Sequence, residues 1–309
     1  MTTTSALRRA AHWHRPLMLF VAAMAVLTVV AAVGVFTDPR VLTGAPIWLK
    51  PLKFAISFVL YGTTLAWMLS LLPRRSRSAE WAATVVVAMG VVEMVIIVGQ
   101  VLRGTTSHFN ESTPLNAALF QVMGAAVMVL FTGHLVLGIA VLRQRIADRA
   151  ARYAVGWGLG LTLLGMAAAI PMVAGADTGI DGVAGAHSVG VVDGGPGLPL
   201  VGWSTTGGDL RIGHFVGLHA LQALPLLAIL LSRWGTRLDE VTRVRLLVVA
   251  GAAYGTLTVL FTWQALRGQP LLRPDALTLS VAAALLVGTA IAAGAVLARR
   301  RRPELVLAA

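Results

Sequence analysis

Cysteine is absent from the 309-residue chain, which excludes disulfides, thiolate metal sites, iron–sulfur clusters and a cysteine nucleophile. Charge is scarce as well: 12% of the residues are charged, where a soluble domain carries roughly 25%. So little ionic surface leaves most of the chain with nothing to present to water. Lysine is nearly missing, with only Lys50 and Lys53 against 23 arginines. Acids number 13, and the formal net charge is +12. An excess of that size is one signature of nucleic-acid binding. Here the arginines fall in short clusters between apolar runs, so no nucleic-acid partner is expected. The chain also lacks a Walker loop, a dinucleotide fingerprint, an H-E-x-x-H pair and a recognisable nucleophile triad.

What fills the chain is apolar sequence: 57% of residues are hydrophobic and the mean hydropathy is +0.80. Apolar windows fall near 16–36, 52–72, 81–102, 117–141, 153–174, 214–232, 244–266 and 276–298. Each is long enough to cross a hydrocarbon core of about 30 Å at about 1.5 Å per residue. Barrel strands would alternate in polarity, and these runs do not. Arg8, Arg9 and Arg15 precede the first run, as in a signal peptide. That run exceeds the usual signal core of roughly 7–15 residues, so it reads as a first span. The expected fold is all-α, a polytopic transmembrane bundle of about eight spans.

Arginine and lysine set the orientation. Alternate connections hold 18 of the 25 basic residues: Arg8, Arg9 and Arg15; Arg74, Arg75 and Arg77; Arg143, Arg145, Arg149 and Arg152; Arg233, Arg237, Arg243 and Arg245; and 299–302. The opposite set holds 7, namely Arg40, Lys50, Lys53, Arg103, Arg211, Arg267 and Arg273. The first set is expected in the cytoplasm, with both termini, and the membrane is a bacterial inner (plasma) membrane. The unusual residues then gather outside: Trp48 to Lys53, Arg103 to Asn116, the Gly-rich 175–213 segment, and Arg267 to Asp275.

Two motifs recur. The third window ends Gln100-Val101-Leu102-Arg103-Gly104 and the seventh ends Gln264-Ala265-Leu266-Arg267-Gly268. The second begins Leu49-Lys50-Pro51-Leu52-Lys53-Phe54 and the sixth Leu210-Arg211-Ile212-Gly213-His214-Phe215. Near-equal offsets predict a duplicated four-helix unit, with halves 1–150 and 151–309. An even number of spans per half makes the repeats parallel, about a pseudo-two-fold axis along the membrane normal.

The duplication would bring Lys50, Lys53, Arg103, Arg211, His214 and Arg267 to one outer rim. Either they bind an anionic small molecule or lipid head group, or they snorkel and cap helix ends. Glu93 falls mid-span, where an acid costs roughly 2.5–3.5 kcal/mol; Gln100 is two turns further on the same face. Its repeat partner is Leu257, so any role of Glu93 belongs to the first half. With Gln264, Glu93 and Gln100 are candidates to line an interior cavity; the alternative for Glu93 is a neutral acid bonded to its neighbours. His134 is either a hydrogen-bonded core residue, a haem ligand or a proton relay with Glu93. His108, His187, His214 and His219 lie at the outer face, but His214 and His219 are five apart and make no i,i+4 ligand pair, so no metal site is expected. The Gly-rich segment, which ends at Asp209, is either a lid or a connector. Trp48, Trp203 and Trp263 suit an aromatic belt.

The stretches Ile47 to Phe54, Gly99 to Asn110, Gly194 to Pro199 and Gly217 to Gln222 resemble a bacterial family of multi-span membrane proteins, which brings no activity with it. The four-plus-four layout with a long outer connector is similar to the haem A synthase family. That resemblance implies haem as cofactor and histidine pairs on the even spans of each half. Here the second and eighth spans carry no histidine, and those of the fourth and sixth lie at different depths. Three function classes follow: a membrane protein whose outward, partly cationic cavity binds or transports an anionic ligand; a haem-binding redox or haem-modifying protein using His134, His214 or His219; and a non-catalytic subunit or sensor whose outer loops meet a protein partner.

Overall fold

A computed structural model describes residues 13–174, 180–234 and 238–299. Arg8, Arg9, Arg237, residues 300–302 and Gly175 lie outside the described residues. Eight helices are long and apolar enough to cross a membrane. They are α1 (Arg15–Thr37), α2 (Leu49–Ser70), α3 (Arg77–Leu102), α4 (Pro114–Leu142), α5 (Arg149–Ala167), α6 (Arg211–Trp234), α7 (Glu240–Leu266) and α8 (Ala276–Ala298). A short 3₁₀ turn, Ile170–Met172, extends α5. The protein is thus an all-α, multi-pass membrane protein whose solvent is a lipid bilayer.

Six helices start on a side-chain cap: at α1, His14 Nδ1 accepts the Leu17 N–H. Ser76, Thr113, Asp148, Asp239 and Asp275 each accept the N–H three residues on, which satisfies a donor that lipid could not. Between the helices at one end lie two small antiparallel hairpins: β1 (Val41–Leu42) with β2 (Ala45–Pro46), and β3 (Ser188–Val189) with β4 (Gly208–Asp209). The arginine-rich connections lie at the other end.

Helix contacts follow matching patterns in two sets, α1–α4 and α5–α8. In the first, α1 meets α2 and α3, α2 meets α3, and α3 meets α4; in the second, α5 meets α6 and α7, α6 meets α7, and α7 meets α8. The halves join where α4 meets α5 and where α2 meets α6. Buried Leu17, Leu65, Val86, Leu137, Val155 and Leu221, from six different helices, form one core through that junction. Buried His134 bridges it too. Its Nδ1 lies 2.8 Å from the Tyr61 hydroxyl, and its Nε2 lies 3.3 Å from the Leu159 carbonyl oxygen.

α5 and α6 approach most closely at glycine. A Cβ built on Gly165 would fall 2.4 Å from the Leu218 nitrogen and 2.5 Å from the Gly217 carbonyl carbon. Only hydrogen fits there, the usual device for close helix contact in lipid. α8 is the outlier, with Thr278 its only buried residue.

Candidate functional site

The two Gln-x-Leu-Arg-Gly ends fold into the same corner. Gly104 (φ 73°) and Gly268 (φ 70°) turn the chain in the left-handed region that glycine permits. Thr105 donates its N–H to the Gln100 carbonyl, and Gln269 donates to that of Gln264. Both glutamine side chains are buried and hold the turn: Gln100 Nε2 donates to the Thr106 carbonyl, and Gln264 Nε2 to those of Pro270 and Leu271. Each arginine then pins the start of the next helix. Arg103 donates to Gln100 Oε1 and Asn116 Oδ1. Arg267 donates to Asp275 and to Thr278 Oγ1 and lies over the Trp263 ring. Both guanidinium groups, and both glutamines, are therefore engaged within their own corners.

The helix starts diverge. At α6, buried Asp209 receives the Arg211 backbone N–H and, in a fork, Arg211 Nε (2.9 Å) and Nη2 (2.6 Å). Arg211 Nη2 also donates to the Gly202 carbonyl. The matching start of α2 has Trp48 at the cap, with no side-chain cap bond and no acid in its first turn. Trp48 instead donates its indole N–H to Asp38, which Arg40 also holds. Lys53 Nζ reaches the Val201 carbonyl at 3.1 Å. Lys50 has no hydrogen bond and no ion pair among the described residues.

Lys50 is the centre of a half-buried cluster. Lys53, Glu93, Asp193 and Arg211 lie within its electrostatic reach, and His108 and His187 lie within reach of it in turn. Burial, the charge of Lys50, and the neighbouring His187 and His214 hold His108 well below the ordinary imidazole range. Burial lowers His187 too, against its hydrogen bond to Asp193. Burial alone would raise the Asp193 carboxyl. Three N–H donors, from His187 Nδ1, His187 N and Ser188 N, outweigh it and keep Asp193 ionised. His214 turns its Nδ1 to the Gly165 carbonyl at 2.7 Å, while His219 Nδ1 meets Gln222. Both Nδ1–H groups of His187 and His214 point at acceptors, so in the neutral rings Nε2 carries the lone pair. Among the described residues, no Nε2 of His108, His187 or His214 has a hydrogen-bond partner. Phe54 and Phe109 pack edge-on against His108 and His187.

The long connector roofs this cluster. Gly194 approaches Gly44 of the first hairpin so closely that a Cβ on Gly44 would lie 2.6 Å from the Gly194 oxygen. Ala184 donates to the Phe109 carbonyl, Glu111 donates to Gly182, and Gly208 lies against the Ala265 carbonyl. One segment thus touches the first hairpin, the α3–α4 connection and the end of α7.

Beneath the cluster, Glu93 is 3% exposed, and its Oε1 has no hydrogen-bond partner. His134 belongs elsewhere: with both ring nitrogens engaged and Tyr61 stacked on it, it ties α2, α4 and α5 together. Among the described residues no group of three His, Asp or Glu side chains is placed to hold a metal ion.

No protein-family model, curated protein or solved structure matches the chain. The geometry alone must carry the functional reading. It brings Lys50, Lys53, Glu93, His108, Asp209, Arg211 and His214 together with His187. His219 stands beside them, and Gln100, Arg103, Gln264 and Arg267 are held in the corners. Asp193 and Asn116 were missed as partners, since neither lies in a recurring motif. Only the folded connector puts Asp193 beside His187.

Proposed function

We propose that the protein binds a phosphate-bearing ligand, either a lipid head group or a soluble phosphate ester, at the start of α2. One contrast carries this reading: Arg211 at α6 is ion-paired with a carboxylate, whereas neither Lys50 nor Lys53 at α2 makes an ion pair among the described residues. A helix N-terminus is a positive dipole end with free N–H groups, and two lysines beside it add like charge. An anion there would relieve both. Lysine is a point-charge phosphate binder, whereas the forked guanidinium groups that suit a planar carboxylate are already paired with Asp209, Asp275, Gln100 and Asn116.

The two halves, 1–150 and 151–309, are on this reading duplicated units about an axis near the α2–α6 contact. Support comes from the matching corners and the matching helix pairs. The arginine asymmetry favours a cytoplasmic arginine-rich end and an extracytoplasmic ligand site in a bacterial inner membrane. A membrane-impermeant maleimide should then label a Gly195→Cys variant in intact cells, since the chain has no other cysteine.

Binding to purified protein in micelles tests the site. Inorganic phosphate, glycerol 3-phosphate and a short-chain phosphatidylglycerol serve as probes and separate soluble from lipid sources. Lys50→Ala is expected to weaken the preferred probe at least about tenfold, the worth of one charge-assisted hydrogen bond. Equal binding by the parent and the variant would overturn the assignment.

A further inference from the structure

We infer that the ligand is zwitterionic, carrying a primary ammonium group as well as its phosphate, and that Glu93 receives the ammonium. This rests on the anion site proposed at Lys50. Glu93 and Lys50 lie within electrostatic reach of one another, yet no ion pair joins them among the described residues. In a low-dielectric interior such groups attract strongly, and an uncompensated buried charge is costly. Glu93 nonetheless keeps a buried Oε1 without a donor, and half-buried Lys50 makes no hydrogen bond among the described residues. A group bearing both polarities satisfies both.

The imidazoles point the same way. His187 and His214 are oriented by Asp193 and by the Gly165 carbonyl, so their unpartnered Nε2 atoms accept hydrogen bonds rather than donate them. Neutral Nε2 lone pairs are poor partners for a phosphate oxygen and good ones for an N–H. The site therefore offers donors at Lys50 and the α2 terminus, and acceptors at Glu93, His187 and His214. A quaternary ammonium has no N–H to give, so a choline-type ligand would leave Glu93 Oε1 unsatisfied. The position equivalent to Glu93 in the second half is Leu257, so the acceptor is an addition to the first half alone.

The test compares phosphoethanolamine, phosphocholine and inorganic phosphate on purified protein. It also compares lipid retained from nanodiscs of phosphatidylethanolamine or phosphatidylcholine, read by native mass spectrometry. Phosphoethanolamine should bind at least about tenfold tighter than either other soluble probe. Retention of phosphatidylethanolamine alone would place the same chemistry on a lipid. Glu93→Gln should cut the preference to less than about threefold; Glu93→Leu, copying Leu257, should do the same if glutamine disturbs the helix. Lys50-dependent phosphate binding with no preference for the ammonium probes would overturn the zwitterion and spare the anion site. Absence of any Lys50-dependent binding would overturn both.

Discussion

The start of α6 and the corner after α7 neutralise their basic residues with carboxylates, and the matching start of α2 and corner after α3 do not. Arg211 has Asp209 and Arg267 has Asp275, whereas Arg103 rests on neutral Gln100 and Asn116, and Lys50 rests on nothing. The corners are otherwise alike, from the left-handed glycine to the buried glutamine. Matching corners with unequal charge closure teach where to look for a ligand: beside basic residues that lack the carboxylate partner their counterparts have.

The halves also differ in how they are packed, and this difference predicts the largest effects. α5 and α6 touch backbone to backbone at Gly165 and Gly217. At the α1–α2 contact, a Cβ on Gly62 would crowd the Val21 side chain at 2.7 Å, and the backbone there, the Leu17 oxygen, lies at 4.0 Å. Gly165→Val must push two helices apart and should cost more than about 3 kcal/mol, with little folded protein recovered. Gly62→Ala, answered by a rotamer change at Val21, should cost about 1 kcal/mol. Similar yields of both variants by size-exclusion chromatography would erase the packing contrast.

Next in size is the polar bridge between the halves. His134→Ala removes a fully buried ring and leaves the Tyr61 hydroxyl without its partner, at about 2–4 kcal/mol. Tyr61→Phe loses one interhelical hydrogen bond, worth about 1 kcal/mol in a membrane interior. Thermal unfolding in micelles should rank the two in that order. If His134→Ala melts like the parent protein, the junction does not depend on the bridge.

Much of the frame was legible in the sequence because lipid imposes one rule on every span: all backbone groups must be satisfied within a helix. Apolar windows at 16–36 and 276–298 therefore match α1 and α8 closely. The starts are less legible. The second window began at 52, yet α2 begins at Leu49, because lysine side chains are tolerated in a first turn where hydropathy is low. The recurring Gln and Arg were visible, but their work was not. That Arg103 holds Asn116, rather than facing a ligand, depends on how a corner folds, and no spacing rule encodes it. The His187–Asp193 pair was hidden for the same reason, since the connector has no periodicity to follow. Glu93 was conspicuous by hydropathy alone.

The smallest predicted effect isolates the charge difference between the two corners. The Arg267 guanidinium, first, and the Thr278 N–H hold the Asp275 carboxyl well below the usual carboxylate range. A carboxylate lowered in the folded state contributes stability that is fully present above its unfolded value, about pH 4, and is lost as pH falls through the lowered folded value. The group is solvent-exposed, so screening keeps the contribution small. Acidification below about pH 4 should thus loosen the Gly268–Asp275 corner more than the Gly104–Asn116 corner, where Arg103 has no carboxylate partner. Hydrogen exchange of the two segments, corrected for intrinsic rates, reads this directly. Asp275→Asn keeps a good helix cap and copies the first half, so it should remove the acid response while barely changing exchange at neutral pH. An equal acid response in both corners would mean that the charges of Asp275 and Arg267 do not distinguish them.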